Sequence, residues 1–235
     1  GRRRLKENPW FGVKFPRDKN PRRPIMTHTV FEALLKVADR VHPLLKPALV
    51  VAEGTGRRIS AWRNLTWEDI DFQENTIRWR AEFDKSGFEQ VVPMSEAVQE
   101  ALKEVRKLQA DIGSAQVFPA PRNPTKSVDR HVLDKWLRQA YVEAGLTHQP
   151  GGLWHPLRRK WATERKDYPV KDVAAAGGWK TERVLLTSYQ QVDAETIKRV
   201  VLNPSHRLEE ELHTTNTQHT VLDKKISTAE VAVEQ

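Results

Sequence analysis

The chain has 235 residues, no cysteine and a formal net charge of +8 at pH 7. The absence of cysteine excludes disulfides and thiolate metal sites, and no apolar run approaches the roughly 18 residues of a membrane helix. A hydrophobic content of 38% is enough for a globular core, and the basic balance favours a polyanionic partner. We therefore expect a soluble cytoplasmic protein with no membrane association.

The first 25 residues form a basic, proline-rich arm. Residues 1–24 contain nine lysines and arginines against Glu7 and Asp18, and four prolines interrupt them. This composition disfavours a packed core. The arm is either a strand that follows a phosphate backbone or a solvated linker, and the charge run alone does not decide between them.

Two helical segments follow the arm. Thr29 and Glu32 have capping-box spacing, and the apolar positions after them predict a helix over 29–41. A second apolar segment, 44–52, leads into the Gly54-Thr55-Gly56 turn, after which a helix is predicted to resume through Arg57 and Arg58. Adjacent helical arginines point about 100° apart, so only one could enter a shared site and the other would be an ordinary surface arginine.

The remaining pattern is mainly helical with one small sheet. Alternating residues over 75–80 and 90–94 predict a β-hairpin with Lys85 at or near its tip. The fold class is therefore α+β, mainly α with a small antiparallel β-sheet. Residues 203–235 are polar and are either a disordered tail or a tail with a helix near 206–213. The remaining helices are predicted at 96–108, 128–144, 155–166, 170–176, 181–190 and 193–202.

Several residues could together handle a phosphoryl group. His155 and Arg158 are three residues apart at the start of a predicted helix, where they share a face near the positive dipole end. Arg58 follows a glycine turn, and an arginine fork can hold two phosphate oxygens. Each of these signals is weak alone, but their order along the chain is informative.

That order resembles the tyrosine recombinase (phage integrase) family over about residues 25–202. The motifs are T-G-R-R-I-S at 55–60, N-L-T-W-E-D-I-D at 64–71, a hairpin lysine at 85, H-P-L-R at 155–158, G-G-W at 177–179 and a tyrosine at 189. The resemblance implies the catalytic-domain fold of that family and six site residues. These are Arg58, Lys85, His155, Arg158, Trp179 and the nucleophile Tyr189.

The resemblance also implies the reaction. Tyr189 would attack a DNA phosphate to form a 3′-phosphotyrosyl link, with Arg58 and Arg158 on the non-bridging oxygens and Lys85 protonating the leaving 5′ oxygen. His155 would accept the tyrosine proton or donate to the phosphate. No cofactor, metal or small-molecule substrate is implied. The partner would be double-stranded DNA, bound by a homo-oligomer, a tetramer in the family, in the bacterial cytoplasm.

The implied organisation is a linker at 1–25, a catalytic domain at 26–202 and a tail at 203–235. Because full recombinases carry an N-terminal DNA-clamping domain, we expect such a domain to be missing upstream. The chain departs from the pattern at Ala61, where relatives often have an acid that braces the first arginine, and at Pro156 and Arg159-Lys160 in the second box. The brace for Arg58 must come from elsewhere or is absent.

Three other functions remain open at the level of sequence. A type IB topoisomerase and a telomere resolvase share similar chemistry on a related fold. A non-catalytic DNA-binding relative would keep the fold without turnover, although the six filled positions argue against that interpretation.

Overall fold

The computed structural model describes residues 23–84, 87–109, 115–148 and 152–202. The predictions for the basic arm up to residue 22, for Lys85 and for the tail from residue 203 lie outside the described residues. The chain divides into two compact units, the first ending at Gln190 and the second beginning at Gln191. None of the described helices has the length and apolar character of a membrane span.

The first unit contains eight of the described α-helices. They are α1 His28–Val41, α2 Leu45–Thr55, α3 Ile59–Trp62, α4 Glu96–Lys107, α5 Arg130–Glu143, α6 His155–Glu164, α7 Val170–Gly177 and α8 Glu182–Ser188. The second unit contributes α9, Ala194–Leu202. The helices predicted from apolar periodicity are confirmed to within a few residues at each end.

Five short strands accompany the helices. The predicted hairpin is confirmed, because β2 (Thr76–Trp79) pairs antiparallel with β3 (Gln90–Pro93). A third strand, β1 (Ile70–Asp71), pairs with the other edge of β2. A second sheet of β4 (Pro119–Ala120) and β5 (Asn123–Ser127) was not predicted. The sequence did not predict β1 or the second sheet, and the reason is physical. Strands β1 and β4 have only two residues each, and β5 is polar and mostly exposed, so none of the three shows an alternation of apolar and polar residues.

Capping side chains start the scaffold helices. Thr27, two residues before the predicted cap, accepts the Val30 amide and begins α1, while Ser95 accepts the Val98 amide and begins α4. Helix α2 is apolar on most of its surface and packs against α1, α4 and α6 at the centre of the main core. A smaller apolar cluster lies beneath α6, α7 and α8, and its buried members are Trp161, Ala162, Val173, Ala174, Trp179 and Leu185.

Helix α7 ends at a glycine that no other residue could replace without strain. Gly178 adopts a left-handed φ of 69° at the C-cap of the helix. A Cβ atom at this position would overlap the Arg57 guanidinium and the Asp84 carboxylate. Glycine is therefore required at position 178 for two reasons, the left-handed backbone conformation and the lack of space for a Cβ atom.

We expect Gly178→Ala to lower the free energy of unfolding by more than Gly145→Ala. Gly145 also has a positive φ, 67°, but its Cβ would meet open space, so it reports the backbone cost alone, about 1 to 2 kcal/mol. Urea unfolding of both variants measures the difference. Equal losses would show that Arg57 and Asp84 move aside without cost.

Candidate active site

Three arginines converge on the carboxyl end of α7. Arg57 donates from Nε to the Ala176 carbonyl at 3.0 Å and from Nη2 to the Ala175 carbonyl at 3.2 Å. Arg58 donates from Nη1 to the Gly178 carbonyl at 3.1 Å, and Arg158 donates to the Gly177 carbonyl. The last carbonyls of a helix lack partners within the helix and carry partial negative charge, and α7 has no basic residue in its own last turn. Guanidinium groups from elsewhere in the fold satisfy this helix end.

The prediction that one of the paired arginines is an ordinary surface residue is wrong. Helix α3 begins at Ile59, so Arg58 is its N-cap with an extended backbone, and Arg57 precedes the helix. Arg57 is only 2% exposed, whereas the Arg58 side chain is 20% exposed. The left-handed Gly56 ends α2 before the arginines, and the helical geometry assumed from the sequence does not apply to them.

Arg158 is a buried cation of the site, as Arg57 is. It lies on α6, is 2% exposed and bonds the Gly56 and Gly177 carbonyls. Burial, together with the nearby Arg58 charge, lowers the pKa of Arg158 to about 9, although the neighbouring Tyr189 side chain acts in the opposite direction. The guanidinium therefore stays protonated at neutral pH, and its carbon lies 5.2 Å from the centre of the Tyr189 ring.

Tyr189 is fixed by its backbone and by aromatic packing. Its amide donates to the Leu185 carbonyl at 3.1 Å at the end of α8, and its carbonyl accepts the Thr163 hydroxyl of α6 at 3.2 Å. The half-buried ring meets Trp179 edge to face, with centroids 5.0 Å apart, and lies 5.2 Å from the Arg158 guanidinium carbon. The structure thus brings Tyr189, Arg158 and Trp179 together.

The other two tyrosines lie elsewhere in the first unit. Tyr141 is packed in the main core at 7% exposure, and Tyr168 is 66% exposed in the segment between α6 and α7. Neither is in contact with the arginine cluster in the described contacts.

Trp179 supports both the cation and the tyrosine. Its ring lies 3.5 Å from the Arg158 guanidinium carbon and stacks on Trp161 at 5.8 Å. Its indole N–H is buried, as is the Nε–H of Arg158, and neither has a hydrogen-bond acceptor among the described residues. Two buried donors next to a tyrosine are suited to an incoming anion.

His155 begins α6 and is half-buried. Burial lowers its pKa to about 4, and the nearby charges of Arg159, Arg158, Arg130 and Arg58 act in the same direction. The imidazole is therefore neutral at pH 7 and can accept a proton. A small cavity is lined by His155 together with Arg58 and Arg158, so these three predicted residues share one site.

Lys85 lies outside the described residues, but its neighbour Asp84 is part of the site. The Asp84 carboxylate binds Arg57 at 2.7 Å and approaches Arg58 at 3.5 Å. The sequence did not select Asp84 or Arg57 as site residues. The available signal was their charge, because each is adjacent in the sequence to a residue that the motif had already selected. Among the described residues, no group of three or more His, Cys, Asp or Glu side chains is arranged to hold a metal ion.

Comparison with solved structures places this geometry in a known fold. The XerA recombinase aligns with a TM-score of 0.64 at 20% identity, over 80% of this chain and 67% of that chain. The Tn1549 transposon integrase, in complex with a circular intermediate DNA, aligns with a TM-score of 0.62 at 18% identity, over 78% and 66%. A lambda integrase tetramer bound to a Holliday junction aligns with a TM-score of 0.56 at 18% identity, over 75% and 51%.

The chain therefore spans about two thirds of the first two structures and about half of the third. No curated protein sequence gives a significant match. The family model described as "Phage integrase family" matches residues 24–196, which is most of the chain and includes every residue of the arginine cluster. The chain belongs to the phage integrase family and has the catalytic-domain fold of the tyrosine recombinases.

Proposed function

We propose that this protein performs site-specific DNA recombination, cutting and rejoining DNA through a 3′-phosphotyrosyl link at Tyr189 in the bacterial cytoplasm. The observation that carries the proposal is the position of the Arg158 guanidinium, which lies 5.2 Å from the centre of the Tyr189 ring and lines a small cavity together with Arg58 and His155. A nucleophile, two cations and a neutral base are the groups that phosphoryl transfer needs.

The arginines bind and activate the scissile phosphate. Arg58 is the more exposed of the two and has its guanidinium anchored on Gly178, while Arg158 lies deeper against Tyr189. Both groups are fixed before DNA arrives, so they stabilise the charge of the transition state without reorganising. Donors of this kind are worth about 2.7 to 4 kcal/mol each. The buried N–H groups of Arg158 and Trp179 would gain acceptors from the phosphate oxygens.

The covalent step exchanges one phosphate ester bond for another. The Tyr189 oxygen attacks phosphorus and gives its proton to neutral His155, while the bond to the 5′ oxygen breaks. By its place in the family pattern, Lys85 gives a proton to that oxygen. The phosphotyrosyl ester keeps the bond energy, and attack by a 5′ hydroxyl reverses the step, so no metal, cofactor or nucleotide is consumed.

A basic helix face extends the site toward DNA. Helix α5 exposes Arg130, His131, Lys135 and Arg138, and the charge of Arg130 acts on His155. Cations beside the scissile phosphate would contact neighbouring phosphates of the same duplex. These contacts carry no base information, and each one makes binding weaker as salt increases.

We also propose that the protein acts on DNA as a homo-oligomer, a tetramer. In the second unit, α9 exposes Ile197, Val200 and Val201, which share one helical face, and no residue of that helix is buried. An exposed apolar stripe of this kind suits a contact with another protomer.

The mass of the complex on a DNA junction gives the number of protomers, which we expect to be four.

We expect Tyr189→Phe to abolish the covalent protein–DNA adduct while leaving DNA binding intact, because only the attacking oxygen is removed. The substrate is a nicked duplex built from the DNA that borders the encoding element, and the adduct is detected by denaturing electrophoresis. Tyr168→Phe is the control, since that tyrosine is exposed and away from the arginines. An adduct with Tyr189→Phe, or none with the unaltered protein, would contradict the proposal.

We expect the protein to lose stability as the pH falls from about 6.5 to about 4, and His155→Asn to lose less. The unfolded histidine binds a proton below its ordinary pKa of 6.5, whereas the folded His155 stays neutral until about pH 4. The unfolded state therefore binds more protons in this window, so acid favours it. Urea unfolding across the window measures both slopes. His42, whose pKa burial also lowers, is common to both proteins. Equal slopes would show that His155 protonates freely in the folded state.

A further inference from the structure

The first arginine of the site has lost the acid that braces it in the family pattern. Position 61, three residues after Arg58, holds a buried alanine. A guanidinium that must meet a phosphate at a fixed angle needs partners that limit its rotation. In the described contacts Arg58 has two such partners, the Gly178 carbonyl and the Asp84 carboxylate.

Asp84 divides its two oxygens between the paired arginines. One oxygen accepts Arg57 Nη1 at 2.7 Å, and the other lies 3.5 Å from Arg58 Nη1. The side chain is only 2% exposed, and the Asp84 carbonyl accepts the Gly87 amide at 3.0 Å. The carboxylate is therefore held on the protein side of Arg58 and leaves the exposed part of that guanidinium available to a ligand.

Arg57 holds the carboxylate in place from several directions. Besides Asp84 and the α7 carbonyls, it donates to the Gln90 side chain on β3 at 2.8 Å and lies 5.0 Å from the Trp79 ring centroid on β2. Each of the three side-chain nitrogens of Arg57 already donates to a protein acceptor, so this guanidinium serves the scaffold of the site.

The charged groups of this cluster leave a net positive charge at the place where an anion would bind. The Arg57 and Asp84 charges cancel at close range, so Arg58 and Arg158 remain as the two cations for an anion. A buried ion pair is seldom retained for stability, since apolar residues of similar volume often do as well. Orientation of Arg58 is the role that its location supports.

We propose that Asp84 is the positioning residue for Arg58, replacing the acid that position 61 lacks, and that Arg57 fixes Asp84 in this role. The inference rests on the proposed function, because Arg58 must act on a phosphate for its orientation to matter. Asp84 acts through Arg58 and touches neither substrate nor the reacting atoms.

The test compares two nicked duplexes that differ only at the scissile group, one with phosphate and one with methylphosphonate. The methylphosphonate has a methyl group in place of a non-bridging oxygen and carries no charge, so it depends less on an arginine. We expect Asp84→Asn to slow adduct formation at least about tenfold on phosphate and much less on methylphosphonate, and we expect the same pattern for Arg58→Ala. A purely structural defect would slow both substrates alike.

Asp69 supplies the matched control. Its fully buried carboxylate also pairs with two arginines, Arg78 at 3.3 Å and Arg80 at 3.1 Å, neither of which belongs to the site. We expect Asp69→Asn to reduce stability and leave the ratio of the two rates unchanged. Asp84→Glu serves if Asp84→Asn does not fold. It keeps the carboxylate but displaces it by one methylene, and we expect the same substrate-dependent defect at smaller size.

The possible outcomes distinguish a failure of the inference about Asp84 from a failure of the proposed function. If the unaltered protein forms an adduct and Asp84→Asn shows either no loss or an equal loss on both substrates, the inference is overturned and the proposed function stands. If the unaltered protein forms no adduct on either duplex, the proposed function fails and the inference fails with it.

Discussion

The site depends on the carboxyl end of one short helix. Four successive carbonyls, from Ala175 to Gly178, accept hydrogen bonds from Arg57, Arg58 and Arg158, which arrive from two other parts of the chain. Guanidinium groups normally repel one another, and here the partial negative charge of the helix end, together with Asp84, offsets that repulsion. The arrangement leaves a local positive surplus, which is the property that an anion site requires.

Helix α6 connects this cluster to the tyrosine. The same helix carries Arg158, the Trp161 ring on which Trp179 stacks, and the Thr163 hydroxyl that holds the Tyr189 carbonyl. A cation, an aromatic support and a backbone anchor on one rigid element fix the distance between Arg158 and Tyr189. The small apolar cluster beneath them therefore has a role beyond stability, because its packing determines where the Tyr189 ring lies.

The sequence was sufficient for most of the fold and for the selection of several candidate site residues. Apolar periodicity marks the helices, and motif order selected Arg58, His155, Arg158, Trp179 and Tyr189, which the structure brings into one region. It was not sufficient for Arg57 and Asp84, which are 27 residues apart, nor for the Arg57 contact with Ala176, 119 residues away. Local patterns cannot reveal such pairings, because they depend on how distant elements pack. The helical prediction for Arg57 also failed, since the left-handed Gly56 ends the helix before it.

The central claim is that the arginines at the end of α7 form the binding site for a scissile phosphate next to Tyr189. The most direct measurement is a crystal structure of the Tyr189→Phe variant bound to an uncut DNA duplex from the encoding element. We expect one backbone phosphate within hydrogen-bonding distance of both Arg58 and Arg158, with the residue 189 ring facing its phosphorus. A bound duplex that places its phosphates elsewhere and leaves these arginines on α7 alone would contradict the account.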